Sequence, residues 1–253
     1  MIAALPMYDR VETREETDRF WSLISQGTGF SSLSLSRDQD LWDIWRHPEL
    51  ILAQTCGMPF RVSLRESVNY VITPDYALDG CPAGYYNSVF LARRSETRDL
   101  SQIVKGTYAY NEALSQSGWA GPITHLLQSG LKPTKLVQSH AHVASALMVA
   151  EGEADYCAID AHTWRLIQRY DAFAAVLCEL ERTQPTPALP YICSKQTDSS
   201  EIESRVLDAF QQLSPKDSAA LGLSGFIKID PRRYFDVPTP PTPDEMTKIS
   251  DMC

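Results

Sequence analysis

The sequence lacks several features that would place a protein in a common functional class. No apolar run in its 253 residues approaches the roughly 20 residues that a membrane-spanning helix needs. Its six cysteines form no Cys-x-x-Cys pair, and no histidine spacing supports zinc, so neither a metal nor a cofactor is predicted. The net charge of −9, without a basic stripe, argues against a nucleic acid as partner.

The N-terminus lacks the pattern of an export signal. Such a signal needs a basic start, an apolar stretch of about 7–15 residues and a cleavage site with small residues. Here Asp9, Arg10 and Glu12 follow almost directly, and Ile2 to Leu5 is typical of a first β-strand. The sequence therefore favours a cytoplasmic location, with a periplasmic location as the alternative.

What the chain does contain is a succession of short apolar strands and amphipathic helices, which predicts an α/β protein. With 43% hydrophobic residues, its length suits two lobes. A long strand over 85–93 and a proline-rich segment over 183–190 predict two crossings between them. Lobe one would contain 1–86 plus 188–253, and lobe two 87–187, with a loose tail from Val237.

The most informative segment runs from Gly106 to Gly130. It predicts a strand, a polar loop and an amphipathic helix. The loop delivers Ser115, Gln116 and Ser117 into the first helical turn, where backbone N–H groups have no helical partner. Hydroxyls beside free amides at the positive end of a helix dipole predict an anion site. The alternative is that Ser115 or Ser117 is only an N-cap.

The next segment, residues 134–160, repeats this layout. It predicts a strand, a polar loop, a helix ended by Gly152 and a strand ending at Asp160. His142 at the helix start is a candidate anion ligand, and the alternative is a solvated side chain. His140 is expected to point away. Asp160 is either a ligand or the N-cap of the next helix.

Several motifs together resemble a known family. They are Leu5-Pro-Met-Tyr-Asp9, Gln54-Thr-Cys-Gly-Met-Pro59, Gly80 to Ser88, Ser-x-Ser-Gly at 115–118, Ser-x-x-His-x-x-Ser at 139–145, and Gly-x-Ala-Asp-x-x-Ala-Ile-Asp at 152–160. In this order they resemble the phosphate/phosphonate-binding family of type II periplasmic binding proteins, the solute-binding components of ABC importers. The resemblance implies a two-lobed α/β fold, a ligand cleft between the lobes and two hinge crossings. It also implies a small phosphorus oxyanion as ligand (phosphonate, phosphite or phosphate) and an ABC permease as a possible partner.

The resemblance also implies roles for single residues. Ser115 and Ser117 would bind the phosphonate, His142 would line the cleft, and Tyr8 and Tyr86 would form an aromatic wall. Ligands of open α/β sheets sit at the carboxyl ends of strands, which adds further candidates. The complete predicted ligand-binding set is Tyr8, Thr55, Tyr86, Ser88, Ser115, Gln116, Ser117, His142 and Asp160. Gln116 stands where relatives carry Thr, which leaves the identity of the anion open.

Two other classes of function remain open. A cytoplasmic enzyme on the same fold, of the menaquinone-pathway or thiamin-pyrimidine type, is favoured by the missing export signal. Against it, the sequence offers no base and nucleophile pair beyond His142 with Asp160, so no catalytic residue is predicted. A cytoplasmic ligand sensor is the third class. The sequence favours a binding protein over both.

Overall fold

The computed structural model describes residues 1–250, and the side chains up to residue 248. In chain order the strands are β1 Ile2–Ala4, β2 Leu50–Gln54, β3 Val68–Asp75, β4 Tyr85–Tyr86, β5 Ser88–Arg93, β6 Thr107–Tyr110, β7 Lys135–Gln138, β8 Tyr156–Asp160, β9 Leu177–Arg182, β10 Thr186–Pro187, β11 Tyr191–Ser194 and β12 Gly225–Ile227. The α-helices are α1 Arg14–Ser25, α2 Leu41–Trp45, α3 Gly57–Pro59, α4 Leu100–Ile103, α5 Gly121–Gln128, α6 His142–Glu151, α7 Ala161–Tyr170, α8 Ser199–Gln212, α9 Pro215–Leu221, α10 Arg232–Phe235 and α11 Pro243–Ser250. No helix within residues 1–250 combines the length and the apolar character needed to cross a bilayer.

The chain divides into two compact units. The first contains Met1–Tyr85 and Pro187–Asp236. Its five-stranded sheet has the order β1-β2-β11-β3-β12, in which β1 and β2 are parallel and β11 is antiparallel to its neighbours. Apolar side chains from these strands, together with Trp45 of α2 and Phe60 after α3, form its core.

The second unit contains Tyr86–Thr186 and the segment that begins at Val237. Its five-stranded sheet has the order β7-β6-β8-β5-β9. Strand β6 runs parallel to β7 and β8, whereas β5 runs antiparallel to β8 and β9. The core is built on aromatic residues, with Tyr108, Trp119 and Tyr156 fully buried.

The C-terminal segment differs from the expectation. The sequence placed residues from Val237 in lobe one as a loose tail, but the structure packs them with the second unit, so the chain passes between the units a third time. The segment contains α11, buries Met246 in the core and accepts a hydrogen bond at Pro241 O from Trp119 Nε1 (3.0 Å). The prediction was wrong here because the prolines before residue 243 suggested a loose chain, whereas Pro243 and Met246 are buried.

The structure differs from the sequence prediction at two strands. The expected strand over 85–93 is interrupted at Asn87, and β4 pairs with β10 as a separate two-stranded ladder. The run from Phe173 to Arg182 also predicts a strand, but β9 begins only at Leu177, because Ala172–Val176 forms a 3-10 helix. The first strand, the helix ended by Gly152 and the strand ending at Asp160 all lie within a residue of their expected bounds.

Candidate anion site

One edge of the second sheet gathers most of the predicted polar residues. Because β6, β7 and β8 are parallel, their carboxyl ends meet at this edge. Strand β5 runs the other way, and its first residue Ser88 pairs with Asp160 at the end of β8. The loops that follow β6 and β7 therefore lie at the same edge as Ser88 and Asp160, as the rule for open α/β sheets requires.

The loop after β6 enters a π-helix, Gln116–Ala120, before α5 begins. Ser115 is its N-cap, with Ser115 Oγ accepting a hydrogen bond from Gly118 N at 2.9 Å. The buried Tyr108 hydroxyl donates to Gly118 O at 2.7 Å, which fastens the turn to the core. Single π-helical turns occur frequently at functional sites. Ser115 is therefore an N-cap, as one of the two interpretations of the sequence predicted.

Ser117 has a different partner. Its Oγ lies 2.9 Å from Nε2 of His142, the first residue of α6. This hydrogen bond joins the two strand-loop-helix segments that the sequence singled out. Two backbone bonds hold the loops together, from Ser139 N to Tyr110 O (2.8 Å) and from His140 N to Asn111 O (3.1 Å).

Gly118 and Asn111 complete this cluster. A Cβ atom on Gly118 would lie 1.8 Å from Asn111 Oδ1 and 3.1 Å from His142 Cε1, so any larger residue would require the Asn111 side chain to move. Asn111 Oδ1 is buried and, among residues 1–250, has no hydrogen-bond partner. Asn111 was not among the residues predicted from the sequence, although its position directly after β6 marks it as a candidate by the rule for strand ends.

Burial sets the protonation state of His142. Desolvation lowers the pKa of His142 from 6.5 to about 4, so the imidazole is neutral at neutral pH. Its Nδ1 is buried and has no hydrogen-bond partner in the described part of the chain. The neighbouring His140 has an exposed side chain and a left-handed backbone (φ 67°), and its Nδ1 is 3.4 Å from Glu112 Oε1.

The remaining candidates of this unit lie at the same edge but have varied environments. Asp160 caps α7, with Oδ1 accepting from His162 N (2.7 Å) and Thr163 N (2.9 Å). Ser88 and Gln116 are both buried beside Gly121, whose added Cβ would lie 3.4 Å from Ser88 Oγ and 3.5 Å from Gln116 Nε2. Tyr86 is also buried.

The two candidates from the first unit follow its parallel strands β1 and β2. Tyr8 ends the 3-10 helix Pro6–Tyr8 and packs edge-on against Tyr76, with ring centroids 5.0 Å apart. Thr55 is fully buried, donates its backbone N–H to Pro190 O (3.1 Å), and has no partner for Oγ1 among the described residues. Their part in ligand binding stays a prediction.

Comparisons with solved structures find proteins of the same fold. The chain has the fold of a phosphonate ABC transporter binding component from Pseudomonas aeruginosa (17% identity, TM-score 0.71, covering 99% of this chain and 94% of that one). It is equally similar to PhnD1 of Prochlorococcus marinus, solved with methylphosphonate (16% identity, TM-score 0.71, 100% and 98% covered). XAC2383 of Xanthomonas citri, solved with chloride, is a further neighbour (16%, TM-score 0.66, 99% and 96% covered). A search of curated protein sequences returns no match.

These neighbours confirm the predicted α/β fold of the type II periplasmic binding proteins. At this level of identity they show the fold alone. The relationship in sequence is shown by a family model that matches residues 51–234. The family is described as "ABC transporter, phosphonate, periplasmic substrate-binding protein". That description does not favour the enzyme and sensor alternatives, and it supports a periplasmic rather than a cytoplasmic protein. The chain belongs to the family of phosphonate-binding periplasmic substrate-binding proteins of ABC transporters.

Proposed function

We propose that this protein binds a small phosphorus oxyanion at the loop after β6, with His142 contributed by the loop after β7. The observation that carries the proposal is the 2.9 Å hydrogen bond between Ser117 Oγ and His142 Nε2. It brings both polar loops to one point, beside the first turn of a helix whose dipole favours negative charge.

The chemistry of this point suits an oxyanion. Ser115, Ser117, Gln116 and the neutral His142 are uncharged at neutral pH, so they would replace the hydration of the anion by hydrogen bonds. Ser115 Oγ already accepts from Gly118 N, which leaves its own hydroxyl hydrogen as a donor. Hydrogen bonds to a charged acceptor are shorter and stronger than neutral ones.

The ligand class can be tested by thermal shift. The trial set is methylphosphonate, phosphite and phosphate, with sulfate, glutamate and chloride as controls. A ligand at 100 times its dissociation constant adds about 2.7 kcal/mol to the free energy of unfolding, which raises the melting temperature measurably. We expect one of the phosphorus oxyanions to give the largest rise. A larger rise with glutamate than with any phosphorus oxyanion would contradict the proposal.

The position of the site can be tested with one serine. Loss of a hydrogen bond to a charged group costs about 1.5–3 kcal/mol, so Ser117→Ala should weaken binding roughly 10- to 150-fold in calorimetric titration. Ser129→Ala is the matched control, because Ser129 is the exposed C-cap of α5 in the same segment. Parent-like affinity in Ser117→Ala would place the anion elsewhere.

The biological role follows from the family. We infer that the protein works in the periplasm and passes its anion to an ABC permease. Cells that use methylphosphonate as their phosphorus source should lose uptake when the gene is deleted, and osmotic shock should release the protein with the periplasmic fraction. Unchanged uptake, or retention of the protein with the cytosol, would contradict this inference.

A further inference from the structure

The C-terminal segment from Val237 is bonded to the π-helical turn Gln116–Ala120, which carries Ser117. We propose that this segment holds the turn in the geometry that binds the anion, with Trp119 as the positioning residue. Trp119 would not touch the anion, but would act through the turn in which it lies. This inference rests on the proposed function and adds to it a part of the chain that is remote in sequence.

The segment has a defined local structure. Thr242 directly precedes α11, its backbone N–H donates to Glu245 Oε2 (2.8 Å), and Glu245 N donates back to Thr242 Oγ1 (3.3 Å). This reciprocal pair is a capping box, and Pro243 suits the first helical position that follows it. The start of α11 is thereby fixed, and with it the positions of Pro241 and Met246 on either side of the cap.

Both of these residues contact the core beneath the turn. Trp119 is fully buried, and its Nε1 donates to Pro241 O at 3.0 Å. Met246 is 1% exposed and belongs to the same apolar cluster as Trp119. A buried indole N–H needs an acceptor, and here the C-terminal segment supplies it. The segment is therefore part of the packing that fixes Trp119.

The segment also lies near the other end of the loop. The loop leaves the core after Tyr110, the last residue of β6, and returns to it at Trp119. The two rings pack together, with centroids 4.9 Å apart. Burial raises the pKa of Tyr110, and the negative charge of Asp244 in the first turn of α11 raises it further, because this carboxylate lies near the Tyr110 hydroxyl. Both ends of the loop are thus held beside the segment.

Such a support affects affinity as well as stability. A loop that is already ordered loses little conformational freedom when an anion binds, so its affinity is higher. The coupling is reciprocal: if the docked segment favours anion binding, the bound anion favours docking of the segment by the same factor.

The indole hydrogen bond can be removed with little change in shape. Trp119→Phe keeps an aromatic ring but has no N–H for Pro241 O. We expect calorimetric titration with methylphosphonate, phosphite and phosphate to show binding weakened about two- to tenfold. Trp21→Phe is the matched control, because Trp21 in the first unit is also buried and donates Nε1 to a backbone carbonyl, Leu33 O (2.6 Å). It should leave the affinity unchanged.

A second pair of variants separates positioning from general loss of stability. Met246 and Ile103 are buried in the same core, but Ile103 ends α4, which precedes β6, whereas the turn follows β6. We expect both Met246→Ala and Ile103→Ala to lower the melting temperature, and only Met246→Ala to weaken anion binding, measured well below the melting temperature of each variant. Met246→Leu keeps the apolar volume and should restore the affinity.

Hydrogen exchange tests the reciprocal effect in the parent protein. Saturating methylphosphonate should slow exchange of the Trp119 indole hydrogen more than that of Trp21, with the signals assigned by the two Phe variants. Equal slowing at both indoles, or parent-like affinity in both Trp119→Phe and Met246→Ala, would overturn the inference. An affinity loss in Ile103→Ala as large as that in Met246→Ala would overturn it as well. A parent protein that binds none of the three anions would instead overturn the proposed function, and with it the role of the segment in recognition.

Discussion

The two strand-loop-helix segments of the second unit have the same pattern in sequence but different local structures. After β6, the loop enters a π-helical turn capped by Ser115 and fastened by the Tyr108 hydroxyl. After β7, the loop enters α6 directly, and its N-cap Ala141 has no side chain that can accept a hydrogen bond.

The two segments also differ in how deeply their polar residues are buried. Ser115, Gln116 and Ser117 are each at most 5% exposed, whereas the side chain of His140 is 75% exposed. Strand β6 is interior to the sheet, and β7 is its edge strand. The C-terminal segment adds a further contact to the first segment, through the hydrogen bond from Trp119 to Pro241.

This difference indicates a division of labour. The segment after β6, residues 115–120, is buried and hydrogen-bonded, so it can present several donors in fixed positions; we call it the platform. The segment after β7 contributes one side chain, His142, to that platform. An anion site built this way depends on the packing of the platform more than on the stability of α6. Four substitutions and a pH series can test that conclusion.

The largest effect is expected at Gly118. In Gly118→Ala, the new Cβ would clash with Asn111 Oδ1, because the two would be 1.8 Å apart. Overpacking of this kind costs about 1–3 kcal/mol or more, and the displaced turn would carry Ser117 with it. We expect a lower melting temperature and loss of anion binding. Gly29→Ala is the control, since no heavy atom lies within 4 Å of its added Cβ.

A second substitution shows whether the clash is the cause. Asn111→Ala removes the oxygen that occupies the space, so the double variant Gly118→Ala/Asn111→Ala should recover much of the lost stability. If the double variant is as unstable as Gly118→Ala alone, the close approach of Asn111 does not explain the need for glycine.

The next effect concerns pH. The pKa of His142 is about 4 in the folded protein and 6.5 in an ordinary environment, so the unfolded chain takes up the proton first as the pH falls. Stability from this residue is complete above pH 6.5 and is lost as the pH falls toward 4, by at most on the order of 3 kcal/mol. His142→Gln should flatten that part of the curve of unfolding free energy against pH.

The difference between parent and variant isolates His142, because the carboxylates contribute equally to both. His140→Gln is the matched control variant, since the side chain of His140 is 75% exposed. Identical curves for the parent and His142→Gln would show that the imidazole is solvated in the folded protein.

Much of this unit could be predicted from local sequence signals. Strand β7 occupies Lys135–Gln138 as expected, and α6 ends where Gly152 adopts a left-handed backbone (φ 84°). Both follow from signals within a few residues, the hydrophobic period and the C-cap glycine. The family motifs carried the fold class, because they occur in order along most of the chain.

The parts that could not be predicted depend on tertiary contacts. Asn111 is only seven positions from Gly118, but their contact depends on the path of the loop between them. Met246 is buried by a core whose other buried members lie at least 88 positions earlier. The neutral state of His142 also arises from tertiary burial, whereas its residue type alone suggested a titration near pH 6.5. The ligand-binding roles of the predicted residues stay a prediction.

The smallest effects concern the N-caps of the two segments, because Ser115 has a side-chain acceptor and Ala141 has none. One substitution can remove the acceptor from the first cap, and another can add one to the second. Ser115→Ala deletes the acceptor of Gly118 N and should cost about 0.5–2 kcal/mol, whereas Ala141→Ser supplies the missing acceptor at α6 and should add about 0.5–1 kcal/mol. The backbone of Ala141 (φ −150°, ψ 148°) already has the extended conformation of an N-cap, so the new hydroxyl needs no rearrangement. Urea unfolding of both variants measures the changes in the free energy of unfolding.

Anion affinity gives a separate test of the two caps. If α6 contributes little to the site beyond His142, Ala141→Ser should raise stability without changing anion affinity, while Ser115→Ala should lower both. A change in affinity in Ala141→Ser as large as that in Ser115→Ala would show that the two segments contribute equally to the site.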